Sequence, residues 1–308
     1  VIITLKNTTT SEVAQRIVEM RSDRGSAALG RVLTLIIVVP DLIDVDRAIE
    51  ISDAVSREHP CRVIVVVDTE QRDTPARLNA QVRIGESAGP SDVVVLEPRG
   101  EAASDLDSLV MPLLLSDTPV VTYWPDTPPD NPGEHPLGKI ATRRITDSRT
   151  TDDAVQALLH LAEVYTAGDT DLSWAGVTLW RALLAAVVEQ LDHMPVRVVV
   201  RGHATHPSSF LMAAWLGRQL GVETVRETHT EAETITAVSF EFDDGTRVTL
   251  SRRADSAVAQ LDRPGLETAD VNLPTRSVQD CLMEELRRLD PDDYYEQVIT
   301  EDLPQLVI

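Results

Sequence analysis

The chain has 308 residues, 43% of them hydrophobic and 25% charged, which are the proportions of a folded protein and a length that suits two domains. Its 28 Lys and Arg stand against 50 Asp and Glu, a formal net charge of -22 that repels phosphate backbones and anionic lipid headgroups, so neither nucleic acid nor a membrane surface is expected as a partner. No apolar run approaches the roughly 20 residues of a membrane helix. The opening VIITLKNTTTSE has neither a basic region nor a long apolar one, and the chain is read as cytoplasmic.

Thr9 and Glu12 stand at capping-box spacing ahead of VAQRIVEM, which predicts a helix. VLTLIIVV (32–39) and RVIVVVD (62–68) are β-branched runs suited to buried strands. Between them Val45, Ala48, Ile49 and Val55 recur at near-helical spacing, and His59 closes that helix where a cation meets the negative end of the macrodipole. RLNAQVRIG places Leu78, Ala80, Val82 and Ile84 on one face of a strand, VVVLEPRG gives another, and a helix through DLDSLVMPLLL leads into the strand PVVTYW. Residues 151–167 read as one periodic helix stopped by Gly168. The domain boundary is placed there, with an N-terminal α/β domain at 1–168 and a C-terminal one at 169–308.

The second half opens with WAGVTLWRALLAAVVEQL, read as a long helix, and the buried strand VRVVVRG. SSFLMAAWLGRQLG is a helix stopped by Gly221, and VETVRETH gives a strand. ITAVSFEFDDGTRVTLSRR is a hairpin turning at DDG, with a third antiparallel strand expected in ETADVNLP. SVQDCLMEELRRLD is an amphipathic helix, and a last helix is expected to start with Asp290 as cap and Pro291 at its first position. The expected fold class is α/β with α+β character: two domains, each a helix-covered mixed sheet, the second with an antiparallel meander.

GxGxxG, Walker A, HExxH and CxxC motifs are missing, and the GxSxG spacing occurs once, in GESAG (85–89). Dinucleotide, P-loop and zinc chemistry therefore lack their usual sequence support, and no catalytic residue, metal ligand or cofactor is assigned. The best ligand candidate is RGHATHPSS (201–209), between a buried strand and a helix, where Arg201, His203, His206 and Ser208 could grip an anion with help from the helix N-terminus. The alternative is a capped loop in which Thr205 or Ser208 caps, Pro207 starts the helix and the histidines face water. Cys61 and Cys281 are read as buried small hydrophobes.

Aromatic residues are only 4% of the chain, yet Tyr123 and Trp124 are adjacent, followed by Pro125 at a strand end, and Trp174 and Trp180 flank a helix start beside Arg181. These six are candidates for binding a protein partner, as aromatic and arginine anchors often do, or for wedging the core. Trp174 and Trp180 point to different sides of one regular helix; if the helix begins at Thr178, Trp174 folds back from the lead-in.

GRVLTLIIVV, SREHPCRVIVVV, MPLLLSDTPVVTYWPDTPP, PLGKIATRRITDS, DLSWAGVTLWRALLA and RSVQDCLMEELRRLDPDDYY, in this order, closely resemble the actinobacterial OpcA family of glucose-6-phosphate dehydrogenase assembly proteins, over about residues 7–295. The resemblance implies a non-catalytic partner that binds glucose-6-phosphate dehydrogenase, promotes its productive oligomer and raises its activity as an allosteric effector in the oxidative pentose phosphate pathway. The chain departs from the family at Ala175-Gly176-Val177, small and apolar where a more polar, arginine-bearing stretch is expected. A different class of reading makes the 201–209 loop the site of a sugar-phosphate sensor or hydrolase.

Overall fold

The structure is a computed structural model that describes residues 1–22, 31–69, 74–84, 92–253 and 255–307. The first strands and helices are β1 (Ile2–Leu5), α1 (Thr10–Ser22), β2 (Leu33–Val39), α2 (Val45–Glu58), β3 (Cys61–Val67), β4 (Arg77–Arg83) and β5 (Asp92–Arg99). There follow α3 (Leu106–Val110), β6 (Val120–Trp124), α4 (Pro136–Lys139), β7 (Arg143–Thr146), α5 (Ala154–Glu163) and β8 (Asp169–Asp171). The chain continues through α6 (Leu172–Gly176), α7 (Thr178–Val188), β9 (Arg197–Gly202), α8 (Pro207–Leu220), β10 (Glu223–Thr228), β11 (Ile235–Glu241) and β12 (Arg247–Arg252). It ends in β13 (Val258–Asp262), β14 (Ala269–Asn272), α9 (Val278–Arg287), α10 (Asp293–Gln297) and α11 (Leu303–Val307).

Among the described residues these strands form two mixed sheets, one of eight strands in the order β1-β4-β5-β3-β2-β6-β7-β8 and one of six in the order β10-β9-β11-β12-β13-β14. The fold is α/β with two helix-covered mixed sheets. In the larger sheet β5, β3, β2, β6 and β7 run parallel, and β4 lies antiparallel between β5 and the edge strand β1. All seven residues of β2 and of β3 are buried, as expected of strands covered on both faces. β4 has one buried face only, carrying Leu78, Ala80 and Val82. In the smaller sheet β9 and β10 are parallel and joined by α8, whereas β11 to β14 form an antiparallel meander. The sequence reading had three strands in that meander; β13 is the additional one, its alternation too short to stand out between turns.

Packing divides the chain into two compact units that interleave along the sequence. The first is Val1–Asp147, Gly168–Thr170 and Val278–Pro291; the second is Ser148–Ala167, Asp171–Ser277 and Asp292–Ile308. α9 groups with the first unit because its apolar face packs on α2 and because Glu285, 5% exposed, pairs with buried Arg143 of β7. Cys61 and Cys281 are both fully buried in that unit and neither forms a disulfide.

Local signals act largely as their chemistry dictates. The capping box is reciprocal: the Glu12 N–H donates to Thr9 Oγ1 at 3.3 Å, and the Thr9 N–H donates to Glu12 Oε2 at 2.9 Å. Gly221 closes α8 with φ 65°, a conformation that costs glycine little. Three boundaries differ from expectation. The 151–167 helix is shorter, with Asp153 capping α5 and Val164 ending it. The helix expected from Trp174 onward breaks at Val177 into α6 and α7. The final helix is capped by Asp292, whose Oδ1 accepts from the Tyr294 and Tyr295 N–H groups, and not by Asp290.

Candidate functional site

β6 ends in Tyr123 and Trp124 between parallel β2 and β7, so both side chains enter the unit's interior. Tyr123 is 0% and Trp124 3% exposed, and Pro125 is buried. The Trp124 ring meets the edge of His135 with centroids 5.3 Å apart and planes at 84°. His135 Nδ1 accepts from the Leu137 N–H at the start of α4, and its Nε2 lies 3.8 Å from an Asp68 carboxylate oxygen. Together Val39, Pro40, Asp68, Trp124, Pro128 and His135 line a groove of about 490 Å³ at the carboxyl ends of β2, β3 and β6. Trp124 is the groove's floor. Of the two readings of Tyr123, Trp124 and Pro125, this burial favours the core wedge over anchors presented to a partner: a strand buried on both faces sends even its terminal rings inward.

The second aromatic group lies in the other unit. Trp174, 1% exposed, is held on three sides: the Arg181 guanidinium sits 3.5 Å above its ring, Tyr295 packs at 5.7 Å, and its Nε1–H donates to Asp292 Oδ2 at 2.8 Å. Arg181 also donates to Thr178 Oγ1 and is half-buried. Trp180, 3% exposed, packs in the core with Leu184 and Val200. The break at Val177 lets Trp174 turn back from the lead-in, and all three side chains serve their own unit. Burial favours the core reading for Trp174 and Trp180, while Arg181 keeps part of its surface open.

The 201–209 loop does follow β9 and precede α8, but its four candidates do not converge. Arg201 lies in an exposed ion pair with Glu227 on β10, at 2.6 Å. His203 Nδ1 accepts from the Thr205 N–H. His206, not Thr205 or Ser208, is the N-cap of α8: its Nδ1 accepts from the Ser208 N–H at 3.2 Å. Burial first, then Arg149 and His203, lowers the His206 pKa to about 4, so the ring is neutral near pH 7 with its proton on Nε2. Ser208 is 5% exposed and its hydroxyl reaches the Ser173 carbonyl.

His206 and Ser208 instead meet residues far away in sequence. A cavity of about 50 Å³ in the second unit is lined by both, with Trp180, Arg149, Arg252 and Arg276. Arg276 Nη1 donates to the Ala175 carbonyl at 2.9 Å, bringing a guanidinium to the small, apolar 175–177 stretch, of which Gly176 and Val177 also line the cavity. Sequence reasoning missed the three arginines because they stand singly on separate segments.

A second cationic group surrounds buried Asp92 at the start of β5, where Arg21, Arg31 and Arg62 all pair with its carboxylate. Burial, with the neighbouring cations second, lowers the Arg21 and Arg62 pKa values to about 10, leaving both charged at neutral pH. For a metal, the described residues offer one grouping, exposed His193, Asp243 and Asp244, with ligand atoms within 4.8 Å of one another. Asp244 is already engaged there by the N–H and hydroxyl of Thr246 in the hairpin turn.

Comparison with known proteins gives two consecutive family matches. Residues 52–163 match the OpcA model described as the N-terminal domain of the glucose-6-phosphate dehydrogenase subunit, and residues 167–299 match the model described as its C-terminal domain. The chain belongs to the OpcA family. The two matches take in the whole lining of the Arg252 cavity and, of the groove, the residues from Asp68 onward but not Val39 and Pro40. No curated protein matches the chain. Solved structures with a similar course include a 3-ketoreductase from Actinomadura kijaniata, with TM-score 0.48 and 10% identity over 88% of this chain and 94% of that one. Another is glucose-6-phosphate 1-dehydrogenase from Mycobacterium avium, with TM-score 0.46 and 12% identity over 89% of this chain and 92% of that one.

Proposed function

We propose that this OpcA-family chain is a non-catalytic partner that binds glucose-6-phosphate dehydrogenase, promotes its active oligomer and raises its activity allosterically. The observation that carries the reading is the consecutive match to both domains of a dehydrogenase assembly family.

An activator must bind the active state of its target better than the inactive one, and about 1.4 kcal/mol of difference suffices for a tenfold shift. Titration of the chain into its cognate dehydrogenase, with rate and oligomer size followed together, tests this. The expected result is a saturable rise in turnover or substrate affinity that tracks assembly. A flat rate curve alongside confirmed complex formation would refute activation and leave only association.

A further inference from the structure

The small cavity of the second unit has a composition at odds with the rest of the molecule. In a chain of net charge -22, its lining carries Arg149, Arg252, Arg276 and His206 and no carboxylate among the described residues. The four come from different places: the turn before α5, the end of β12, the segment between β14 and α9, and the cap of α8.

Arg252 is the most buried of the three arginines. It is 8% exposed, its Nη1 donates to the Leu273 carbonyl at 2.9 Å, and its Nε–H is buried without an acceptor. A buried donor left in this state is costly. His206 offers a second donor, because acceptance at Nδ1 leaves its proton on Nε2. The amides at the start of α8 are already committed: Pro207 has none, Ser208 donates to His206 Nδ1 and Ser209 to the His206 carbonyl. Recognition here falls to side-chain donors and not to the helix N-terminus.

Size and shape restrict the ligand further. A water needs roughly 10–15 Å³ of such space, so the cavity of about 50 Å³ has room for one small tetrahedral group. Three guanidiniums arriving from separate elements suit the several oxygens of a phosphoryl group better than the two of a carboxylate. We propose that the Arg149, Arg252, Arg276 and His206 cavity is an anion site that takes a phosphoryl group, either inorganic phosphate or the phosphate of a monoester whose organic part remains outside.

Calorimetry on the full chain without the dehydrogenase tests this, so that its failure leaves the assembly reading standing and the converse also holds. The probes are inorganic phosphate, glucose 6-phosphate and glucose. The expected result is saturable binding of at least one phosphorylated probe and none of glucose; tighter binding of the ester identifies a monoester site, and tighter binding of phosphate a free-phosphate site. Arg149→Gln and Arg276→Gln should each weaken binding about tenfold or more, the usual effect of losing a charge-assisted bond. Arg201→Gln, outside the cavity, should bind as the parent does. Circular dichroism of each variant confirms folding, and the two substitutions at different segments guard against one that unfolds. Absence of saturation by either phosphorylated probe up to about 10 mM, or parental affinity in both cavity variants, would overturn the site.

Discussion

At the scale of single residues, burial decides what the conspicuous side chains do. Trp124 lies 3% exposed with its ring against His135. Trp124→Ala is therefore expected to lower the chain's own stability by about 3–5 kcal/mol, the result of emptying a buried aromatic site. Chemical denaturation measures it, and a variant as stable as the parent would contradict the wedge. His206 gives a pH signature. Its folded pKa of about 4 lies below the unfolded value near 6.5, so between these the unfolded chain takes up a proton that the folded one refuses. The corresponding stability is fully present above about pH 6.5 and falls by roughly 3 kcal/mol as the pH drops to about 4 and below. His206→Asn, which keeps a capping side chain, should flatten that part of the pH–stability curve; an unchanged slope would remove His206 as its cause.

At the scale of elements, ion pairs and caps fix where helices sit. α9 follows β7 only after a long stretch of chain, yet Glu285 on its inner face pairs with Arg143, which also donates to the Asp290 carbonyl at 2.9 Å. Glu285→Ala leaves a buried guanidinium without its counter-ion and is expected to cost about 3–5 kcal/mol, whereas a joint Arg143→Met and Glu285→Leu replacement should recover much of that. A double-mutant cycle by denaturation separates the two outcomes, and additive losses would show that the pair does not hold the helix. The local signals were legible at this level: the Thr9–Glu12 box and the Gly221 stop were both readable as short patterns. The break at Val177 was legible only as one of two alternatives, a single helix or a start at Thr178, and the packing of Trp174 against Asp292, Arg181 and Tyr295 accompanies the second.

For the whole molecule, charge is the dominant property. A chain at -22 that recognises a basic surface on its dehydrogenase is expected to associate more slowly as salt rises, since charges separated by more than about 8 Å are screened at physiological ionic strength. Stopped-flow association from roughly 50 to 500 mM salt reads this directly. A rate indifferent to salt would assign recognition to apolar contacts. The cationic cavity and the Asp92 cluster stand against this acidic background as local exceptions, and neither is visible in the net charge.

The class of the fold and the family could be read from the order of residues without coordinates. Runs such as LTLIIVV and CRVIVVV leave no face polar enough for water and so specify strands covered on both sides, while helices between them enforce parallel order. Six ordered segments carried the family resemblance, which the two consecutive matches bear out. Which residues share a site is a different matter and depends on the folded chain. Arg149, His206, Arg252 and Arg276 are scattered along the second unit with no common spacing, because a cavity made where separate elements meet imposes no periodicity on any one of them. For the same reason the pattern around Tyr123 and Trp124 could not say inside or outside: the end of a strand is local, but whether its last rings are covered depends on neighbours that the sequence places far away.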